Sequence, residues 1–367
     1  MNNLALRLMQ IREVLHIKKG RHNMKDITII DPNIPQWKGN LHMHTNRSYD
    51  CDCDYHDAIR MYREKGFHFC LISDHEVYWD SPELNDKDFC VLSGMETAFN
   101  PSQARNYLVN RSDETSMHFN IIKDVTRTDA PKGFAHDQGM MRPVDYGLDS
   151  WNRHVQWMRD RGHIVMLNHP SWSILSPELM MGIHGCFAFE IYNTSSVLEV
   201  GCNDDEENWD YCLKRGKFIY AAAGDDTHDY VGVGVCGHSF NMVSAPELNA
   251  VSLVTALKAG QFYPSTGPVI HEMRIVNGEL YLRFSPARSL RIVGCLDHAT
   301  GHARDNGETF TEFTWKIDEK LRYFRVTITD PNGGIAWSQP VMMADLNDEP
   351  RFVSTYKIRP IYKVSMD

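Results

Sequence analysis

The sequence predicts an α/β chain in two parts, a strand–helix barrel over residues 37–262 and a smaller antiparallel β-sandwich over residues 263–345. Three observations carry this. Short apolar strands alternate with longer amphipathic helices from Trp37 to Phe262, which implies parallel strands joined by helical crossovers. After Tyr263 the hydrophobic period changes to strand spacing, and no helix of useful length interrupts it. Clusters of His, Asp and Glu follow one strand after another in the first part, as they would if gathered on the rim of a barrel.

Residues 1–36 read as a short amphipathic N-terminal helix, a basic stretch over 18–22 and a connector broken by Pro32 and Pro35, with Met24 as an alternative start. In the barrel, helices are expected at 57–65, 150–161, 206–215 and 250–259. Strands are expected at 67–72, 89–92, 164–167, 187–191 and 218–222. The sandwich strands fall at 269–276, 279–284, 290–295, 308–317 and 322–329, divided by turn signals such as Asn277-Gly278 and Pro331-Asn332-Gly333-Gly334. The tail, 346–367, carries no assignment.

Composition narrows the function classes. The chain has 367 residues, 42% of them hydrophobic and 23% charged, enough for a sizeable core in two domains. A formal net charge of −10 argues against a general nucleic-acid binder, whose surface is usually basic. No apolar run approaches the roughly 18–20 residues needed to span a bilayer, and no secretory signal is evident. The nine cysteines are scattered without a Cys-x-x-Cys pair, as expected of reduced thiols in a cytoplasmic protein.

The chemistry centres on His42-Met43-His44, placed near the start of the first persuasive strand, where alternation puts both imidazoles on one face and able to share a metal ion. Downstream the strand-like runs lead into Asp74-His75, Gly94-Met95-Glu96, His169-Pro170 and Asp226-Thr227-His228. Each has a plainer reading when taken alone: a helix cap, an exposed loop acid, a satisfied loop histidine. Their ordered recurrence points to a multinuclear site for Mn, Fe or Zn in which Glu96 could bridge two ions. No Gly-x-Ser-x-Gly elbow or phosphate-cradling Gly-x-x-x-x-Gly-Lys loop is present, so a metal would have to supply the nucleophile.

In this order, with Ser48 and Asp50 after His44-Thr45, these motifs resemble those of the PHP (polymerase and histidinol phosphatase) superfamily of metal-dependent phosphoesterases. The resemblance implies a distorted (β/α)7 barrel holding two or three divalent metal ions. It assigns His42, His44, Asp50, His75, Glu96, His118, His169, Asp226 and His228 as ligands, His118 matching across a long gap with His136 as the fallback. Asp50 departs from the family pattern, displaced by one residue from its usual place directly after Ser, which leaves the third metal position open. The second part is similar to the sandwich of the CehA/McbA-like subgroup. Packing or dimerisation is its plainer role, which leaves room for a homo-oligomer.

The activity implied is hydrolysis of a small phosphomonoester or nucleotide through a metal-activated hydroxide. Asp226, Glu96 and His118 are placed in the catalytic machinery, with Arg105, Arg142 and His136 as candidates for contact with the substrate phosphate or for general-acid work. The alternative is carbamate, ester or amide hydrolysis at the same ions, and an inactive metal-stabilised binding protein is a third class. The implied partner is a small phosphorylated molecule, with no membrane.

Overall fold

A computed structural model of the chain describes residues 24–99, 115–128, 147–232, 234–294, 299–303 and 307–352. Arg105, His136 and Arg142, like the expected N-terminal helix and most of the tail, lie outside the described residues.

Three sheets organise the described chain. A five-stranded sheet runs Gly94–Phe99, Met117–Lys123, His163–Leu167, Ala188–Asn193, Tyr220–Gly224, antiparallel at its first two pairings and parallel at its last two. A four-stranded antiparallel sheet pairs Ile27–Ile30, Ile270–Val276, Glu279–Ala287 and Phe310–Lys316. The third, a ten-stranded sheet, begins with the parallel strands Cys90–Leu92, Phe69–Leu71 and Gln36–Asn40. It continues through Phe240–Ser244 and Phe262–Ser265 into Ile335–Trp337, Tyr323–Thr329, Ser289–Gly294 and Ala299–Ala303.

The strand–helix alternation holds at two parallel crossovers, though Phe69–Leu71 reaches its parallel neighbour Cys90–Leu92 through only a short 3-10 turn, Pro82–Leu84. Tyr55–Glu64 crosses from Gln36–Asn40 to Phe69–Leu71, and Glu206–Lys214 from Ala188–Asn193 to Tyr220–Gly224. Asp54 caps the first of these helices by accepting from His56 N, and Ala58, Ile59 and Tyr62 form its buried stripe. Ala250–Ala259 stands at the expected bounds, capped by Asn249 and ended by Gly260 at φ +72°.

The expected (β/α)7 barrel is not what the hydrogen bonds form. The strands of the first part divide between two sheets, which meet at isolated bridges such as Met43 with Thr227 and His75 with Glu96, and among the described residues no single ladder closes on itself. Two local features stand at the break beside Tyr220–Gly224. Asp226, just past the edge strand Tyr220–Gly224, takes a φ of +54°, outside strand geometry. The Asn241 side chain stands in for a ladder rung, pairing Ala223 N at 2.9 Å and Ala223 O at 2.7 Å.

The sandwich is the four-stranded sheet packed on the distal half of the ten-stranded one. Glu279–Ala287 alternates buried and exposed residues, and Leu280, Leu282 and Phe284 meet Leu290, Ile292, Val326 and Ile328 in one core. Asn277-Gly278, at φ +52° and +75°, makes the two-residue hairpin that its sequence signals. Ile27–Ile30, in the stretch expected as a connector, is an edge strand of this sheet. Residue 262, expected to end the first part, begins the strand Phe262–Ser265, so the ten-stranded sheet runs through both parts. Buried Arg325 ties them together, reaching from its strand to Asp210 (2.9 and 2.7 Å) and Glu206 (2.9 Å) on the crossover helix.

Candidate metal centre

The histidine pair lies just past the end of a strand. Gln36–Asn40 stops short of it, and Met43 makes only an isolated bridge to Thr227. Alternation persists across that bridge, with Asp226 N donating to His42 O (2.8 Å) and His44 N to Thr227 O (3.1 Å). His42 Nε2 and His44 Nε2 therefore converge on the same two oxygens. Asp226 Oδ1 lies 3.1 and 3.0 Å from them, and Glu96 Oε2 lies 3.2 Å from each.

Glu96 sits at the middle of the cluster, fully buried, and its two oxygens face different groups. Oε2 faces His42, His44 and His75 Nδ1 (3.2 Å). Oε1 faces His118 Nδ1 (3.1 Å) and His169 Nε2 (3.5 Å), and accepts from Asn168 Nδ2 (2.7 Å). Strand register brings His118 there. Glu96 pairs with Asn120 and Ala98 with His118, so His118 and Glu96 are diagonal neighbours on one face. Gly94, which starts the Glu96 strand, is forced by contact, since a Cβ there would lie 2.0 Å from Ile121 O.

A second group forms at the mouth. Asp50 Oδ2 lies 3.3 Å from His75 Nε2 and 3.4 Å from His228 Nε2, with Asp50 Oδ1 accepting from Ser48 Oγ at 2.7 Å. A tight turn, Ser48 N to Thr45 O (2.9 Å), brings the displaced aspartate into reach. The acid beside His75 acts as a brace: Asp74 accepts from Thr45 N, Thr45 Oγ1 and Trp79 Nε1, each at 2.6 Å.

The electrostatics bind the cluster together. Burial works to raise the Glu96 and Asp226 carboxyls, but surrounding imidazoles, His42 foremost, outweigh it and hold both well below the usual range. Burial likewise works against a charged His42, and Asp226, Glu190 and Glu96 override it, raising its pKa well above the ordinary value. Despite their burial His44 is raised by Asp226 and Glu96, His75 by Glu96 and Asp50, and His228 by Asp50 and Asp226, whereas burial prevails at His118, which is lowered.

The donor set fits divalent ions. Three groups bring single ligand atoms within 4.8 Å of one another: His44, Asp50, His75 and His228; His42, His44, Glu96 and Asp226; His75, Glu96 and His118. Around an ion with bonds of roughly 2.1 Å, neighbouring ligand atoms stand about 3.0 Å apart in an octahedron and about 3.4 Å in a tetrahedron, the spacing seen here. His75 Nδ1 is buried without a hydrogen-bond partner although Glu96 Oε2 is 3.2 Å away, as when two lone pairs aim at a common point. His75 offers one nitrogen to each of two groups, so it serves one ion at a time in the ordinary neutral state.

Three residues of the site carried no motif in the sequence. Glu190, fully buried in the strand Ala188–Asn193, holds His42 Nδ1 (2.8 Å) and His169 N (2.8 Å), which orients two ligand candidates at once. Gly224 is required by this contact, since a Cβ there would lie 2.1 Å from Glu190 Oε1. Asn193 donates to Glu190 Oε2 (3.0 Å) and Asp226 Oδ2 (3.2 Å). Trp172 packs its ring 4.8 Å from His169 and 5.4 Å from His118. A lone acid in an apolar run was the one signal for Glu190.

Comparison with known proteins adds little. No family model and no curated protein matches the chain. Among solved structures it is similar to a two-domain protein from Bacteroides vulgatus described as containing a predicted PHP-like metal-dependent phosphoesterase. The identity is 13% and the TM-score 0.41, over 87% of this chain and 98% of that one. It is also similar to an amidohydrolase from Chromobacterium violaceum with bound sulfate and no metal, at 12% identity and a TM-score of 0.34 over 54% and 93%. At TM-scores this low neither likeness bears on the chemistry of the site, which stands on its own geometry.

Proposed function

We propose that the chain is a metal-dependent hydrolase, a phosphoesterase acting on a small phosphomonoester or nucleotide. The observation that carries this is the meeting of His42, His44, His75, His118 and His169 around Glu96, whose two oxygens face separate nitrogen groups, with Asp226 shared by His42 and His44 and Asp50 joining from the mouth through His75 and His228. His42, His44, Glu96 and Asp226 would hold one ion; Asp50, His75 and His228, or His75, Glu96 and His118, would hold another, with His44, like His75, serving one ion at a time. Divalent ions of the Mn, Fe or Zn type would supply Lewis-acid charge and a water of near-neutral pKa. The chain's own part is to fix the ligands. Glu190 keeps the proton of His42 on Nδ1 and leaves Nε2 free to bind, and Asn193 orients Asp226. Burial keeps His118 neutral, the form that can coordinate.

A second reading, carbamate, ester or amide hydrolysis at the same ions, is favoured by one feature. Among the described residues lining the cavity there is no Lys or Arg to receive a phosphate. Rates on an aryl phosphate and an aryl carbamate, measured on Mn-loaded protein beside Asp226→Ala, decide between them. Phosphate hydrolysis that disappears in the variant supports the leading reading; carbamate hydrolysis alone moves the assignment to the second.

A further inference from the structure

We propose that the leaving group of the substrate is an uncharged planar ring, held by an aromatic wall beside the metal centre, with Trp172, Tyr49 and Glu199 setting this preference. The proposal rests on the reading of the centre as a phosphoester hydrolase and goes beyond it by naming the part of the substrate that leaves.

The wall is continuous. The Tyr49 ring stacks on His75 at 5.2 Å and 20°, His75 meets His118 at 5.7 Å, and His118 meets Trp172 at 5.4 Å. All four line one cavity of about 450 Å³, of a size that takes a phosphoryl group and a ring system. Tyr49 is 81% exposed and Trp172 39%, so both present a ring face with nothing of the described chain upon it. Exposed apolar residues are also frequent in the chain segments that supply this lining. Of eight large hydrophobic side chains exposed on the described surface, six (Tyr49, Trp172, Ile174, Leu198, Val200 and Val231) line the cavity or lie within three residues of one that does. Exposed apolar residues scattered singly need no explanation, but Tyr49 and Trp172 line the polar cavity itself, where they mark a binding surface.

Charge selects what the ring can carry. The cavity is lined by Asp50, Glu96, Glu199 and Asp226 and, among the described residues, by no cation other than its histidines. Divalent ions would neutralise Asp50, Glu96 and Asp226. Glu199, another lining carboxylate, belongs to none of the three ligand groups and accepts from Ser195 Oγ. It sits in a π-helical turn, Ser196–Val200, of the kind often found at functional sites. A second anionic group on the leaving group would meet this carboxylate, whereas a ring N–H or O–H would find an acceptor.

The test uses phosphonates, whose carbon–phosphorus bond removes leaving-group reactivity from the comparison. Affinities of methylphosphonate, phenylphosphonate and 4-carboxyphenylphosphonate are measured by calorimetry on the Mn-loaded chain and on Trp172→Ala, Tyr49→Ala and Glu199→Gln, with Mn content determined for each. Phenylphosphonate should bind about tenfold or more tightly than methylphosphonate, in keeping with ring burial plus stacking. That ratio should shrink severalfold in Trp172→Ala and Tyr49→Ala, and Glu199→Gln should remove the penalty on the carboxylated ring. The ratio is the readout, because a variant that only damages the fold lowers both affinities together. Equal affinities in the unmodified chain, or a phenyl advantage that survives both aromatic substitutions, overturns the proposal. If neither phosphonate binds protein shown to hold Mn, the phosphoester reading itself falls and takes this one with it.

Discussion

At the junction of the two parts, the Arg325 guanidinium uses each of its three nitrogens, donating to Asp210, Thr327 and, by ion pairing, Glu206. At the metal centre the chain buries imidazoles and carboxylates that compete for one another, leaves His75 Nδ1 without a hydrogen bond, and holds His169 and Asp226 at positive φ. Both regions are buried and charged. The junction is closed, with donors matched to acceptors, and serves the fold. The centre is open, with strain and unspent lone pairs that a bound ion would relieve, and such sites are where function is carried.

The largest expected effect breaks the closed region. Arg325→Met leaves Asp210 and Glu206 without their cation and should cost about 3–5 kcal/mol of unfolding free energy in urea, the range for removing one partner of a buried pair. Protein that stays folded should keep its Mn affinity, because Arg325 touches no ligand candidate. A loss under 1 kcal/mol would mean that the junction is not where the two parts are held.

The mirror experiment opens the other region further. Asp226→Ala removes the oxygen shared by His42 and His44 and should lower kcat on an aryl phosphate by at least about 10²-fold, the scale of losing one preorganised charge at a reacting centre. Its urea midpoint should move less than that of Arg325→Met. Activity within threefold of the parent chain would show that Asp226 is not part of the machinery.

The two regions also differ in how far the sequence shows them. His42 and His44 are legible because alternation survives the end of their strand, carried by the Met43–Thr227 bridge. His118 is legible through a motif but not by distance along the chain; an antiparallel register spans the 22 residues from Glu96, and antiparallel pairing was not expected in this part. Glu190 could not be read, since one acid in an apolar run looks the same at a strand edge as in a buried site. The open seams of the expected barrel were illegible for a related reason. One of them lies beside Asp226, whose positive φ an aspartate does not announce as glycine does. Nor does a lone Arg325 in a strand predict two carboxylates on a helix more than a hundred residues away.

Glu190→Gln sharpens the contrast at smaller cost. Glutamine keeps the shape but loses one of the acceptors shared by His42 Nδ1 and His169 N, so Mn affinity should fall about 10–100-fold, as for other groups that orient metal ligands. Equilibrium dialysis reads this directly. Unchanged affinity would reduce Glu190 to a structural acid of the same kind as Asp210.

The smallest effect is a pH dependence that only the open region should show. In the metal-free chain His42, His44, His75 and His228 are raised from 6.5 by facing carboxylates that overcome their burial. A base raised on folding stabilises fully below its unfolded value and loses that stabilisation as pH rises through the folded one. Glu96 and Asp226 are lowered from 4.5 and 3.8, so their contribution is present above those values and is lost as pH falls. His118, lowered, also destabilises on the acid side as it is forced to protonate. The metal-free chain should therefore melt highest between pH 4.5 and 6.5 and lose Tm on both sides. Mn replaces the protons on the imidazoles, so the gap in Tm between Mn-loaded and EDTA-treated protein should widen from about pH 6 to about pH 9. Arg325 does not titrate in that range, so Arg325→Met should displace both curves without changing the gap. A gap that is flat with pH would mean that the imidazoles are not the groups an ion displaces.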